Sequence, residues 1–153
     1  MKTKWFIIAV FIAGIALAPS LNASEKGLSG KVPNTLGGIW HNIVEKQKEL
    51  GDIIKDKKLD KVHEAAFAIR DLAKLLPDKS KDLSADNQKK LKSWVDGIAD
   101  SAKRLDKFGD GDDQANTEKE AKKLDTLLKS IEKLYTPEAL KYDGKGTHSD
   151  QSL

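Results

Sequence analysis

The segment LKSWVDGIADSAKRLDKF, residues 91–108, decides the fold class. Apolar residues recur in it every three or four positions, which is the spacing that puts them on one face of an α-helix. These residues are Leu91, Trp94, Val95, Ile98, Ala99, Ala102, Leu105 and Phe108. A helix of this kind cannot bury its apolar face alone, so the sequence must supply helical partners.

Three other segments have the same apolar spacing, from Leu36 to Ile54, from Val62 to Leu76 and from Ala121 to Tyr135. No stretch alternates with a period of two, so we expect no β-sheet. Short connections force consecutive helices to be antiparallel neighbours. The sequence therefore predicts an all-α fold, an antiparallel up-down-up-down four-helix bundle over residues 35–136.

Polar residues and helix breakers predict where these helices begin and end. The predicted N-caps are Asn34, Asp60, Ser84 or Asp86, and Asp110 or Asp112. The predicted stops are Pro77, Gly109 and the pair Thr136–Pro137. The acidic run after Phe108 does not fit a calcium-binding loop, because alanines stand where that loop needs glycine and glutamate. We therefore expect these acids to cap the fourth helix.

Both ends of the chain differ from the predicted bundle. Residues 1–23 are typical of a secretory signal peptide, with Lys2 and Lys4, then the uncharged run 5–18 and small Ala23 at the expected cleavage point. That run is shorter than the ~20 apolar residues that cross a bilayer, although an uncleaved anchor is the alternative. We expect a periplasmic or secreted protein, with a flexible lead-in at 24–34 and a flexible polar tail at 137–153.

Charge excludes two classes of partner. Lys and Arg number 27 against 24 acids, and losing Lys2 and Lys4 leaves 25 against 24, a net charge of +1. Such a balance gives no basic surface for nucleic acid and no one-sided basic helix for a membrane surface. We expect no nucleic acid and no membrane insertion after cleavage. The expected partners are a divalent metal ion or a periplasmic protein, on a monomer or weak dimer.

The chain offers little for catalysis. It has no cysteine, no serine-elbow motif and no phosphate-binding or dinucleotide-binding glycine loop. His63-Glu64 begins like the zinc-protease helix motif, but Phe67 stands where the second histidine is required. The carboxylates alternate with lysines on faces expected to be solvated. We therefore predict a non-enzymatic protein.

Two histidines on predicted helices are candidate metal ligands. His41 precedes Glu45 by one turn, and His63 lies beside Glu64 and one turn after Asp60. Imidazole with carboxylate suits zinc, copper or nickel, and two or three ligands predict weak binding. The alternative is structural, with His63 bonded to an Asp60 cap and His41 at the solvent edge. The two histidines lie about 18 Å apart along the predicted hairpin, so they would form separate sites.

Residues 35–135 resemble the soluble periplasmic cytochrome b bundle in topology, loop placement and lysine-rich alternation. That resemblance implies a haem-binding electron carrier, with a methionine in the first helix and a histidine in the last as iron ligands. Here the only methionine is Met1, and Lys133, Leu134 and Tyr135 end the last helix without a histidine. We therefore expect no haem, and an electron carrier with non-standard ligation is the alternative function.

A second resemblance is local. The segments 39–41, 62–72 and 76–77 are similar to small uncharacterised periplasmic helical proteins found beside heavy-metal efflux systems. This similarity implies an accessory binding protein in metal homeostasis or envelope stress. It names no site residues, so the candidate metal ligands remain His41, Glu45, Asp60, His63 and Glu64.

Overall fold

The structure is a computed structural model that describes residues 32–144. The predicted signal peptide, residues 24–31 of the lead-in and residues 145–153 of the tail lie outside the described residues. Four α-helices are present, and we number them α1 (Leu36–Lys55), α2 (Val62–Ala73), α3 (Ala85–Asp110) and α4 (Gln114–Glu132). Short 3₁₀ turns at Leu59–Lys61 and Pro77–Lys79 precede and follow α2. The described part contains no strand, which confirms the all-α prediction.

The helices pack in chain order. Helix α1 contacts α2, α2 contacts α3 and α3 contacts α4, while α1 also contacts α4 less extensively. The largest fully buried side chains are Ile39, Ile43, Val62, Ile69, Leu72, Leu76, Leu91, Ile98, Leu105, Leu124, Leu128 and Ile131. All of them belong to the apolar faces that the sequence predicts. Within residues 32–144, no helix combines the length and apolarity that crossing a membrane requires.

Helix boundaries differ from the predicted ones by a few residues. Thr35, not Asn34, caps α1, because its Oγ1 accepts the Gly38 N–H at 3.1 Å. Ser84 caps α3 as predicted. Helix α4 is capped by Asp113, whose carboxylate accepts the Asn116 N–H at 3.0 Å. Helix α3 therefore ends and α4 begins slightly later in the chain than the sequence suggests.

Asp60 and Gly109 do not have the roles at helix ends that the sequence predicts. Asp60 caps no helix, because it lies inside the 3₁₀ turn 59–61 and Lys61 precedes α2 without a side-chain cap bond. Gly109 lies within α3, one residue before its end at Asp110. A Cβ at Gly109 would lie 2.7 Å from the Leu59 carbonyl oxygen, so the glycine allows this close approach. The position requires glycine for packing and not for stopping the helix.

The chain after α4 returns to the start of α1. A Cβ at Gly37 would lie 2.1 Å from the Lys141 carbonyl oxygen, so this glycine admits the returning backbone. Next along, Tyr142 stacks on the His41 ring with centroids 4.4 Å apart and an angle of 14° between the planes. The described beginning of the predicted tail therefore contacts the first two turns of α1.

Candidate metal site

Helix α1 holds His41 and Glu45 one turn apart, as the sequence requires. His41 Nε2 and Glu45 Oε1 are 3.5 Å apart, and both side chains are well exposed. One face of the His41 ring is covered by Tyr142. Neither residue belongs to a group of three or more candidate ligands within residues 32–144. His41 and Glu45 by themselves provide only two ligand side chains for a metal ion.

His63 lies in a larger group that joins two helices. It is the second residue of α2, and it faces Asp106 and Asp110 on α3. One ligand atom from each of the three side chains lies within 4.8 Å of the other two. His63 and Asp106 are half-buried, while Asp110 is exposed. We call these three residues the acidic corner.

Local sequence explains why the acidic corner forms. Residues four apart on a helix share a face, so Asp106 and Asp110 point the same way from α3. Gly109 lies between them and brings the backbone of α3 against Leu59 and against Val62, the neighbour of His63. Without this close approach the imidazole and the two carboxylates would lie farther apart. The glycine that the sequence suggests as a helix stop therefore positions the site.

The other two predicted partners of His63 lie elsewhere. Asp60 is exposed in the 3₁₀ turn before α2, and Glu64 is exposed on α2 itself. Successive residues of a helix point about 100° apart, so Glu64 leaves the helix in another direction from His63. Neither belongs to the acidic corner. The structure thus joins His63 to two carboxylates of α3 that the sequence does not pair with it.

Electrostatics at the acidic corner oppose the helix. Asp110 is the last residue of α3, where the helix dipole is negative and an acid costs about 0.3–1 kcal/mol. Asp106 and Asp110 repel each other at a spacing where like charges cost a few tenths of a kcal/mol. A divalent cation between them would relieve both costs. Departures from local rules of this kind are concentrated at functional sites.

The donor set suits a first-row divalent ion. One imidazole nitrogen and two carboxylate oxygens match zinc, copper or nickel, and the two carboxylates balance the charge of the ion. The ligand atoms lie within 4.8 Å of one another, which is close to the span that donors on one zinc ion can have. Asp110 is exposed at the end of α3, where a side chain rotates with little loss of packing.

A second polar cluster, between α3 and α4, involves the buried carboxylate of Glu120. The Ser101 hydroxyl donates to Glu120 Oε1 at 2.7 Å, and Arg104 Nε forms an ion pair with the same oxygen at 2.9 Å. Burial by itself raises the pKa of Glu120. Ser101, Arg104 and Lys123 together outweigh it, so the pKa lies below its ordinary value. This carboxylate is satisfied within the protein, so its role is to join α3 to α4.

Comparison with protein-family models, with curated proteins and with solved structures finds no match to this chain. The resemblances to the cytochrome b bundle and to proteins beside metal-efflux systems therefore remain expectations from the sequence.

Proposed function

We propose that this protein is a non-enzymatic, exported helical bundle that binds a divalent transition-metal ion and serves as an accessory in metal homeostasis. The observation that carries the proposal is the convergence of His63, Asp106 and Asp110 from two helices. Residues 1–23 are the basis for proposing export, and imidazole with carboxylate is the basis for proposing zinc, copper or nickel as the ion. The acidic corner replaces Asp60 and Glu64 as the ligands proposed for His63.

Contacts between distant parts of the chain support the antiparallel up-down-up-down arrangement that we propose for the bundle. Gln114 at the start of α4 donates its side-chain amide to the Ile54 carbonyl near the end of α1, at 3.0 Å. Ser80, after α2, and Tyr135, after α4, share a hydrogen bond of 2.6 Å. In this arrangement the acidic corner lies at the end of the bundle where α1 and α3 finish.

Three protein donors at a surface favour reversible binding. A closed structural zinc site has four protein ligands, and each ligand lost weakens binding. The site therefore suits a protein that takes up and releases an ion. We expect affinity to depend on both carboxylates, since either one alone leaves His63 with a single partner.

Calorimetric titration of zinc into the mature protein, purified after export, tests this function. The variant Asp106→Asn/Asp110→Asn should lose the binding heat. Its matched control is Asp96→Asn/Asp100→Asn, which changes two exposed acids of the same helix at the same spacing. The control should bind zinc as the unmodified protein does. Equal zinc binding by both double variants would refute the proposed site.

A further inference from the structure

We propose that the ion bound at the acidic corner keeps one coordination position for the imidazole of a histidine on a partner protein. This inference rests on the proposed function and names the chemistry of the ligand that completes the site. The partner would deliver or receive the ion through this shared position. Three observations support the proposal: the number of donors, their exposure and the charge around them.

The number of donors leaves the coordination shell incomplete. Within the described residues, the group at His63 contains three ligand-bearing side chains and no fourth. Zinc is bound by at least four ligands, and sites with three protein ligands place water or another molecule at the fourth position. An incoming ligand therefore displaces water and need not break a bond to the protein.

Exposure makes that position accessible from outside. Asp110 is exposed, and His63 and Asp106 are half-buried, so the ion would lie at the surface of the α2–α3 pair. An imidazole side chain from another molecule is small enough to approach such a surface ion. A buried site would instead require the helices to separate before the ion could be exchanged.

Charge selects imidazole over carboxylate. Asp106 and Asp110 already neutralise a divalent ion, and they lie at the negative end of α3. Lys107 in the same turn offsets part of this charge, and Asp112 and Asp113 after α3 add to it. A third carboxylate would bring an anion into this field, whereas neutral imidazole brings none. The exchange breaks one metal–water bond and forms one metal–nitrogen bond, with no transfer of electrons or protons.

Cobalt(II) is the probe for the test, because its visible absorption changes with its ligands. Cobalt-loaded mature protein is titrated with imidazole and, separately, with acetate at the same pH and ionic strength. We expect imidazole to shift the visible bands, saturating at one imidazole per cobalt, and acetate to leave them unchanged. Ultrafiltration should show that the cobalt stays with the protein throughout.

Two variants separate the outcomes. Asp106→Asn/Asp110→Asn identifies the bands that belong to the acidic corner, and absence of such bands in the unmodified protein would refute the proposed function itself. The third histidine of the chain is His148, in the tail beyond the described residues, and His148→Ala shows whether the chain's own tail fills the position. If imidazole does not shift the cobalt bands in either the unmodified protein or His148→Ala, the proposed open coordination position is refuted. The proposed metal binding would still stand. A response seen only in His148→Ala, an equal response to acetate, or removal of cobalt by imidazole would also overturn it.

Discussion

Two clusters of polar side chains differ in whether their hydrogen-bonding groups are satisfied inside the protein. At the first, which we call the hydroxyl corner, Ser80 is buried and its Oγ donates to the Leu76 carbonyl at 2.6 Å. A serine hydroxyl has one hydrogen, so the Tyr135 hydroxyl must donate to Ser80 Oγ, at 2.6 Å. At the acidic corner, by contrast, an imidazole and two carboxylates converge near the surface.

This difference distinguishes structural polar groups from candidate ligands. Neutral groups that satisfy each other inside a protein hold elements together and need nothing from outside. At the acidic corner, by contrast, two carboxylates meet at the negative end of a helix, where their mutual repulsion opposes helix formation. We infer that the hydroxyl corner serves the fold and the acidic corner serves binding.

The largest effect should come from closing the space at Gly109. Gly109→Ala places a methyl group 2.7 Å from the Leu59 carbonyl oxygen, so α3 must shift away from the turn before α2. We expect a loss of about 1–3 kcal/mol in the free energy of unfolding, together with weaker zinc binding. Denaturant unfolding and calorimetry measure the two effects.

Gly51→Ala is the matched control for that substitution. Nothing lies within 4 Å of a Cβ at Gly51, and the residue lies inside α1. The change should therefore stabilise the protein by about 0.5–1 kcal/mol through helix propensity and leave zinc binding unchanged. Equal effects of the two substitutions would contradict the close approach at Gly109.

Glu120→Gln removes a buried carboxylate that the protein itself satisfies. We expect a loss of about 1–2 kcal/mol at pH 7, because hydrogen bonds to a charged group become neutral ones. The folded protein holds the pKa of Glu120 below its ordinary value, so the carboxylate stabilises the fold at neutral pH. That contribution is lost as pH falls through the ordinary carboxyl range and below it, from about pH 5 downwards. Unfolding measured across this range should depend less steeply on pH in the variant, and an unchanged slope would contradict the assignment.

Tyr135→Phe breaks the hydroxyl corner alone. We expect a loss of about 1 kcal/mol in the free energy of unfolding, because Ser80 loses its donor while Phe keeps the ring. Burial raises the pKa of Tyr135 above its ordinary value. The neutral hydroxyl therefore stabilises the fold below about pH 10, and this contribution is lost as pH rises further. Zinc binding should not change, and a change would show that the two corners are coupled.

The smallest effect should appear in the metal-free protein. Without metal, Asp110→Asn removes the repulsion between Asp106 and Asp110 together with an acid at the end of α3, and it should stabilise the fold by about 0.3–1 kcal/mol. With zinc in excess, the unmodified protein should become more stable than the variant, because the ion stabilises only the protein that binds it. Thermal unfolding with and without zinc, in the presence and absence of a chelator, measures both. A destabilised metal-free variant would mean that the carboxylates serve the fold.

The sequence predicts the helices better than the site, for a physical reason. Apolar spacing is a local property, so the helix face that contains Ile98 and Leu105 can be predicted from one segment alone. Both residues are buried in the structure, as expected. His63 can be predicted as a candidate ligand from the sequence, because imidazole is a common ligand of transition-metal ions. Its partners Asp106 and Asp110 depend on how α2 and α3 are aligned, which no local pattern contains.

Helix boundaries show the same limit. Asp110 resembles a cap for α4, yet it ends α3, and the cap is Asp113 three residues later. Gly109 resembles a stop, yet it serves a contact with Leu59 from a distant part of the chain. The sequence does show that Asp106 and Asp110 lie four residues apart, on one face of the predicted helix. Recognising them as ligands required knowing that a histidine lies opposite.

X-ray absorption at the zinc edge of the zinc-loaded protein tests the central claim most directly, because it reports which side chains bind the ion. An ion at the acidic corner should be bound by one protein imidazole and by oxygen donors at about 2.0–2.2 Å. His63→Ala should remove the imidazole signal, and His41→Ala should leave it intact. An imidazole signal that survives in His63→Ala, or one that disappears in His41→Ala, would contradict a site built from α2 and α3.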